Sequence, residues 1–185
     1  MWYSGRDTNF DPEAIGISTG RVGLAESTDG ITWERLAGDE ELGSVLDFNT
    51  EEWWGYDTVH TMAGDVQIIS TDKVRGSSAV TGGYGVNFMF VSGGDAEEVD
   101  MGGVSFGGKT LPEGTSIKGL RMRIGLALSY DGIHWTRMEG DHETGAIFDV
   151  GEDGEFDALM CGWPQVRCGL DECPPPPRSN RIFWV

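Results

Sequence analysis

The chain has 185 residues, of which 38% are hydrophobic, and its 31 acidic and 13 basic residues give a formal net charge of −18. This length permits a single domain with a substantial core. The negative charge argues against nucleic acid and anionic membranes as partners, because both would repel the chain. No apolar run is long enough to span a membrane. A neutral ligand such as a carbohydrate is compatible with this charge.

The same pattern occurs twice along the chain. Residues 22–33 read VGLAESTDGITW, and residues 124–135 read IGLALSYDGIHW. Over the 26 aligned positions from 22 to 47, 14 residues are identical to those 102 positions later. Chance would give roughly one match in fifteen from ordinary residue usage. The chain therefore contains two copies of one supersecondary unit, each of which needs a neighbour to cover its apolar face.

The predicted elements of each copy follow one order, in which an aromatic strand leads into a hairpin and a further apolar strand comes after a loop. In chain order the predicted strands lie at 1–5, at 22–25, from Trp33, at 66–69, at 88–94, at 124–127, from Trp135, from Val166 and at 182–185. Helical periodicity is absent, and 29 glycines disfavour helices. Two of the intervening segments, 70–85 and 95–118, are expected to be long loops.

These elements predict an all-β fold made of about two four-stranded blades of an incomplete β-propeller. The chain reads as a single partial propeller domain, residues 1–185, with repeat units at approximately 1–64 and 65–163 and the start of a further blade at 164–185. We therefore expect it to be a piece of a larger propeller. No signal peptide is recognised after Met1. Because the chain is expected to continue before Met1, the compartment and the oligomeric state stay open.

Each hairpin carries a Ser-x-Asp-Gly-x-x-Trp motif. Glycine at the turn tolerates the positive φ that a tight hairpin needs. The Ser27 and Asp29 side chains, and their counterparts Ser129 and Asp131, are expected to bond the backbone of their own turns. The motif therefore has a structural role.

The three cysteines, Cys161, Cys168 and Cys173, all lie near the end of the sequence. An odd number argues against a closed disulfide framework. Cys168 and Cys173 could pair across their loop, or all three could be free thiols. Because no fourth ligand lies nearby, the sequence predicts no zinc site, and no cofactor is expected.

The hairpin motif resembles the Asp-box hairpins of sugar-active propellers. Together with the MWYSG strand and an Asp nine residues before an inner-strand Val, it resembles the five-bladed propeller glycoside hydrolases. These include the arabinanase, levansucrase and invertase-like families and family 43. Three further segments look closest to an uncharacterised plant and algal branch: WWGYDT at 53–58, GDVQ at 64–67 and GDHETGA at 140–146.

That resemblance implies three carboxylates around a central channel, because glycoside hydrolysis needs one carboxylate to attack or activate water and one carboxylic acid to protonate the leaving oxygen. By position, the candidate catalytic residues are Asp57, Asp157 and Asp65. The resemblance also implies that three residues contact substrate. These are His60, Trp54 and Trp163.

The sequence departs from the hydrolase pattern at several points. The Asp-Pro signature beside the inner strand is absent, and Gln165 stands where the first copy has Asp65. No general-acid Glu is clear, although Glu155 lies two residues before Asp157. Three alternatives stay open: a glycosidase or transglycosylase, a non-catalytic propeller that binds glycan or protein, and a truncated product without activity.

Overall fold

The computed structural model describes residues 1–9, 18–70 and 85–167, and within these stretches the fold is all-β, as the sequence predicts. The described residues form eleven strands, one 3₁₀ turn at Glu41–Gly43 and no α-helix. The strands are β1 (Trp2–Arg6), β2 (Gly20–Glu26), β3 (Glu34–Leu36), β4 (His60–Ser70), β5 (Gly85–Gly94), β6 (Val99–Asp100), β7 (Ser105–Phe106), β8 (Lys109–Thr110), β9 (Ser116–Ile117), β10 (Met122–Ser129) and β11 (Thr136–Met138).

Two antiparallel sheets carry the repeat. The first has the strand order β1-β2-β3 and the second has the order β11-β10-β5-β4. Gly5 pairs with Arg21 in the first sheet as Gly93 pairs with Arg123 in the second, so β1, β2 and β3 correspond to β5, β10 and β11. We call β1–β3 with the following loop to Asp57 unit 1. We call β4, β5, β10 and β11 with the following loop to Asp157 unit 2.

Strand β4 begins at His60, so the expected start at Val66 is wrong. A bulge lies between Ala63 and Asp65, and the strand continues through it. A bulge of this kind adds a residue and breaks the alternation of side chains, which hides the first half of the strand from pattern analysis. In the second copy, Met160 forms an isolated bridge with Met122, and the described residues from 161 to 167 form no strand.

The segment between Asp95 and Lys118, expected to be a loop, is built of two nested pairs of short strands. Strand β6 pairs with β9, and β7 pairs with β8. The inner pair turns through Gly107 and Gly108, both at positive φ, which fits a two-residue hairpin turn. The glycines that suggested an irregular loop are therefore turn residues of a small antiparallel arm.

The hairpin motif behaves as its sequence predicts in both units. Ser27 Oγ accepts hydrogen bonds from the backbone N–H groups of Asp29 and Gly30, at 3.3 and 2.8 Å. Asp29 Oδ1 accepts the N–H groups of Thr32 and Ile31, and these bonds lower the pKa of Asp29 to about 2. Trp33 Nε1 donates to Gly30 O at 3.2 Å. The motif in unit 2 makes the same bonds.

Both units contribute to one hydrophobic core. Its buried members are Val22, Val45, Leu46, Tyr56, Met89, Val91, Ala127 and Ala146. The Tyr56 ring from unit 1 lies against Gly125 of β10, where a Cβ would come within 2.0 Å of Cζ. Trp2 crosses to unit 2 as well, because its ring meets Trp135 edge-on at 5.8 Å and its Nε1 donates to Gly132 O.

Some of the sequence predictions fall outside the described residues. These concern Cys168, Cys173, the proline run at 174–177, the aromatic strand at 182–185 and most of the loop at 70–85. Cys161 is described and is a free, buried thiol. No helix in the described ranges is long and apolar enough to cross a membrane.

The glycine pair Gly93 and Gly5 gives a test of the packing between the units. A Cβ at Gly93 would lie 2.2 Å from Asp57 Cβ, whereas one at the corresponding Gly5 would approach nothing closer than 3.8 Å. We expect Gly93→Ala to lower the free energy of unfolding by about 1–3 kcal/mol through overpacking, and Gly5→Ala to change it by less than about 0.5 kcal/mol. Urea denaturation of both variants measures the difference. Equal effects would contradict the packing described.

His134 predicts a pH dependence of stability. Its Nδ1 lies 2.5 Å from Asp131 Oδ2 and its Nε2 lies 2.9 Å from Asp39 Oδ2 of unit 1. The hydrogen bond to Asp131, followed by that to Asp39, raises the pKa of His134. A raised pKa stabilises the fold below the ordinary histidine value of about 6.5, and this contribution is lost as pH rises through the folded pKa.

The matched variant is His134→Thr, because Thr32 occupies the corresponding position in unit 1. Urea midpoints of the wild type and this variant, compared between about pH 5.5 and 8.5, should differ most at the acidic end and converge at the alkaline end. The comparison cancels the opposite contribution of buried His60, whose pKa is lowered. A constant difference across this range would contradict the assigned ion pairs.

Candidate functional site

Asp57 lies in the contact between the two units, with a fully buried side chain. Its Oδ2 accepts hydrogen bonds from Arg137 Nη2 at 2.7 Å and Arg137 Nε at 3.0 Å. Arg137 Nη2 also donates to the backbone carbonyl oxygen of Asp47 in unit 1. Burial raises the pKa of Asp57, although the Arg137 charge acts in the opposite direction. Asp57 therefore holds the outer strand of unit 2 against the loop of unit 1.

Asp157 occupies the same place in unit 2 but has different surroundings. Its backbone oxygen accepts from Gly151 N at 3.3 Å, as the Asp57 oxygen accepts from Asn49 N at 3.0 Å. The two aspartates are therefore structural counterparts, as the sequence alignment predicts. The Asp157 side chain is partly exposed, and no described arginine pairs with it. Its Oδ2 lies 3.9 Å from Cys161 Sγ, whose pKa is raised by burial and by this carboxylate.

Asp65 is tied to the segment that follows unit 2. Its Oδ2 accepts from the backbone N–H of Val166 at 2.9 Å and from Gln67 Nε2 at 2.7 Å. Gln67 Nε2 also donates to Val166 O at 3.0 Å. Asp65 and Gln67 together thus hydrogen-bond both the N–H and the carbonyl oxygen of Val166, as a neighbouring strand would. Asp65 positions this segment beside β4.

His60 is fully buried at the start of β4. Its Nε2 lies 2.8 Å from Gly119 O, which requires the proton on Nε2, and its Nδ1 has no hydrogen-bond partner among the described residues. Burial lowers the pKa of His60. A ligand could reach this ring only if the chain around Gly119 moved.

The two candidate tryptophans have different environments. The Trp54 ring is partly buried between the units, with Cζ3 3.5 Å from the position that a Cβ on Gly145 would occupy. Trp163 is 62% exposed, and its backbone N–H donates to Ser92 Oγ at 2.8 Å. Its φ of 51° is in the left-handed region, which bulky residues rarely adopt. Of the predicted substrate contacts, Trp163 is the one that faces solvent.

Sequence analysis missed two buried arginines that organise the units. Arg21 Nη1 binds Asp7 at 2.8 Å and its Nε binds Asp47 at 2.8 Å. In unit 2, Arg123 Nη1 binds Asp95 at 2.5 Å and its Nε binds Asp149 at 2.7 Å. Each unit therefore contains one arginine bound to two aspartates: Arg21 with Asp7 and Asp47 in unit 1, and Arg123 with Asp95 and Asp149 in unit 2. A signal was present, because both copies place an arginine in an apolar strand and an aspartate after a Ser-Gly-x sequence.

An open groove lies elsewhere, on the loop of unit 2. It has a volume of about 490 Å³ and is lined by residues from Gly140 to Asp149. His142 lies within it, with Nε2 3.1 Å from Asp149 Oδ2 and Nδ1 2.8 Å from Thr144 Oγ1. The groove contains none of the carboxylates predicted to be catalytic. Within the described part of the chain, no cluster of His, Cys, Asp or Glu could hold a metal ion.

The geometry separates the candidate residues into two sets. Asp57, Asp65 and His60 bond other parts of the fold, whereas Asp157 and Trp163 remain accessible. Neither a protein-family model, nor a curated protein, nor a solved structure matches this chain. The roles of these residues are therefore inferred from the geometry alone.

The pair Asp57 and Asp157 offers a matched test of these environments. Asp57→Asn leaves the partly buried Arg137 charge without its counter-charge, and we expect it to lower the free energy of unfolding by about 1–3 kcal/mol. Asp157→Asn, in the same motif, should change it by less than about 0.5 kcal/mol. Urea denaturation at pH 7 provides both values. Similar losses for the two variants would show that the units do not differ in this way.

Proposed function

We propose that this chain is part of a propeller-type protein that binds carbohydrate without cleaving it. The observation that carries the proposal is the contrast between Asp57, which is buried in an ion pair with Arg137, and Trp163, which is exposed in a strained backbone conformation. A catalytic carboxylate must reach its substrate, whereas a sugar-binding aromatic ring must face solvent.

The propeller architecture is supported by the way in which successive segments pack. The backbone N–H of Ala63 in β4 donates to Ser4 Oγ of β1 at 3.0 Å. The N–H of Trp163 donates to Ser92 Oγ of β5 at 2.8 Å, and Ser4 and Ser92 occupy the same place in their strands. Residues 160–166 therefore meet unit 2 as β4 meets unit 1. A repeated relation of this kind is expected of sheets set around an axis.

The backbone of Trp163 is in a strained conformation, and this strain supports a binding role for the residue. A bulky residue at positive φ costs about 1–3 kcal/mol, and the following proline further disfavours helical backbone angles. Ala63, the counterpart in unit 1, is not among the described residues with positive φ. Strain of this kind is concentrated at functional sites. The Trp163 side chain is 62% exposed, and the residues that follow it contact β4, since Pro164 lies against Gly64 and the Val166 N–H donates to Asp65.

The polar side chains on and beside the segment that carries Trp163 suit hydroxyl recognition. Gln165 is exposed two residues later, and Gln67 and Asp65 are partly exposed on β4. Amide and carboxylate groups can donate to or accept from sugar hydroxyls, and an aromatic face can cover the apolar side of a sugar ring. We define Trp163, Gln165, Asp65 and Gln67 as the indole site.

A second candidate function, glycoside hydrolysis, is favoured by one pair of carboxylates in unit 2. A Cβ built on Gly151 would lie 2.3 Å from Asp157 Oδ1 and 2.7 Å from Glu155 Oε2, so both carboxylates border the same point. Glycosidases typically use two carboxyl groups about 5–10 Å apart for catalysis. Both residues lie on an accessible loop, and Glu155 Oε2 also accepts from Glu152 N at 2.9 Å.

One titration series tests both functions. We expect the wild type to bind a neutral oligosaccharide from a panel of arabinan, xylan and fructan fragments, and Trp163→Ala to weaken that binding at least about tenfold, equivalent to about 1.4 kcal/mol. Trp53→Ala is the control, because Trp53 is 88% exposed but lies outside the indole site. Isothermal titration calorimetry measures the affinities.

Chromogenic glycosides in parallel distinguish the outcomes. Binding without turnover supports the proposal. Turnover that is lost in Asp157→Asn and Glu155→Gln supports the hydrolase alternative. If no member of the panel binds, or if Trp53→Ala and Trp163→Ala weaken binding equally, the indole site is not a carbohydrate site.

A further inference from the structure

The contact that joins the two units has an apolar part and a charged part. Tyr56 from unit 1 is 3% exposed and lies against the backbone of Gly125, while Asp57 binds Arg137. The backbone N–H of Tyr56 also donates to Thr144 O at 3.1 Å. Unit 1 therefore presents an aromatic side chain and a carboxylate, and unit 2 presents a glycine strand and an arginine.

Unit 2 presents the same face again, but nothing described covers it. Phe156 stands where unit 1 has Tyr56 and is 100% exposed. Asp157 stands where unit 1 has Asp57. The preceding strand-like segment shows the same change, since Val45 and Leu46 are buried whereas Ile147 and Phe148 are exposed. We call these four residues of unit 2, Ile147, Phe148, Phe156 and Asp157, the open face. Exposed apolar clusters of this kind mark interaction surfaces.

Unit 1 carries the features that would receive such a face. Arg35 of β3 corresponds to Arg137 of β11, because it pairs with Ala25 as Arg137 pairs with Ala127, and it is exposed. Gly5 corresponds to Gly93, and a Cβ there would meet only Tyr3 Cε2, at 3.8 Å. The Tyr3 ring covers Gly23, the counterpart of Gly125, so an incoming aromatic ring would meet Tyr3. The charge and the apolar surface both match the open face.

A strand edge accompanies this surface. In unit 2, β4 pairs with β5, and Thr61 lies opposite Gly93. In unit 1, β1 is at the edge of its sheet, and no described strand pairs with it on the side away from β2. Residues 160–166 correspond to β4, so the same register would place Cys161 opposite Gly5. Unpaired strand edges readily accept an additional strand.

We propose that a second copy of this chain docks its unit 1 onto the open face of unit 2, with Arg35 of one copy binding Asp157 of the other and residues 160–166 pairing with β1. The charged pair and the strand pairing repeat between chains those that the structure shows within a chain, while Phe156 would pack on the Tyr3 ring that already covers Gly23. Its two surfaces differ, so each copy retains one free surface of each kind after docking.

Assembly of this type grows until it closes into a ring. Propellers contain about four to eight sheets, and each copy contributes two units, so we expect a closed ring of about two to four copies. The net charge of −18 makes the copies repel one another at low ionic strength. Association is therefore measured at about 0.15 M salt or above, where the screening length is about 8 Å.

Sedimentation velocity over a range of protein concentrations tests the proposal. We expect the wild type to form one defined oligomer, and Arg35→Asp or Asp157→Arg alone to weaken association at least about tenfold through like-charge contact. The double variant carries both reversed charges, so each contact regains an opposite pair, and association should return to within about threefold of the wild type. This rescue is independent of sugar binding by Trp163.

A second set of variants locates the contact without the charges. Phe156→Asp should abolish association, whereas Tyr130→Asp should not, because Tyr130 is also exposed, at 85%, but lies on the hairpin. Gly5→Cys should form an intermolecular disulfide with Cys161 under oxidation, since opposed residues in antiparallel strands lie within disulfide range. Peptide mapping identifies that bond. A monomer at every concentration, or an oligomer that survives Phe156→Asp, would overturn the proposal.

Discussion

The ion pair between Asp57 and Arg137 is the constraint on which the arrangement of the two units depends. Its carboxylate is fully buried and its guanidinium mostly so, it joins the loop of unit 1 to the outermost strand of unit 2, and it lies beside the close approach of Tyr56 to Gly125. Two charges withdrawn from water are stable only when they are paired with good geometry. The two hydrogen bonds from one guanidinium to Oδ2 provide that geometry, and they fix where the second sheet can lie.

Within each unit, a second kind of charged contact performs the equivalent task. Arg21 and Arg123 each bind two carboxylates. One follows the end of β1 or β5, and the other lies in the loop after the hairpin. Each unit is thus held together by an arginine in its middle strand, and the units are held to each other by an arginine in an outer strand. These contacts give some of the many acidic residues a place inside the fold, since Asp95 is buried.

The all-β class, the hairpins and the correspondence of Asp57 with Asp157 could be predicted from the sequence, because turn chemistry is local and the repeat aligns the two copies. Other features depend on what lies across a contact. Tyr56-Asp57 and Phe156-Asp157 are similar motifs, yet one is buried and the other is accessible, since only the first has a sheet packed over it. The bulge at Gly64 hid the start of β4, and the arm between β5 and β10 was hidden because strands of two residues leave no periodicity. Sequence also could not show that Trp163, alone among the proposed sugar contacts, faces solvent in a strained conformation.

The equivalent faces of the two units differ in exposure, and this difference underlies both the proposed carbohydrate binding and the proposed association of copies. Asp57 is used in packing, so binding is proposed for the indole site, and the unmatched face of unit 2 is proposed to receive a further sheet. A double-mutant cycle on Asp57→Asn and Arg137→Met tests the underlying claim most directly. A coupling free energy of unfolding of about 1.5–3 kcal/mol is expected for a buried, doubly hydrogen-bonded pair. A coupling near zero would mean that this pair does not hold the two units together, and the account built on it would fail.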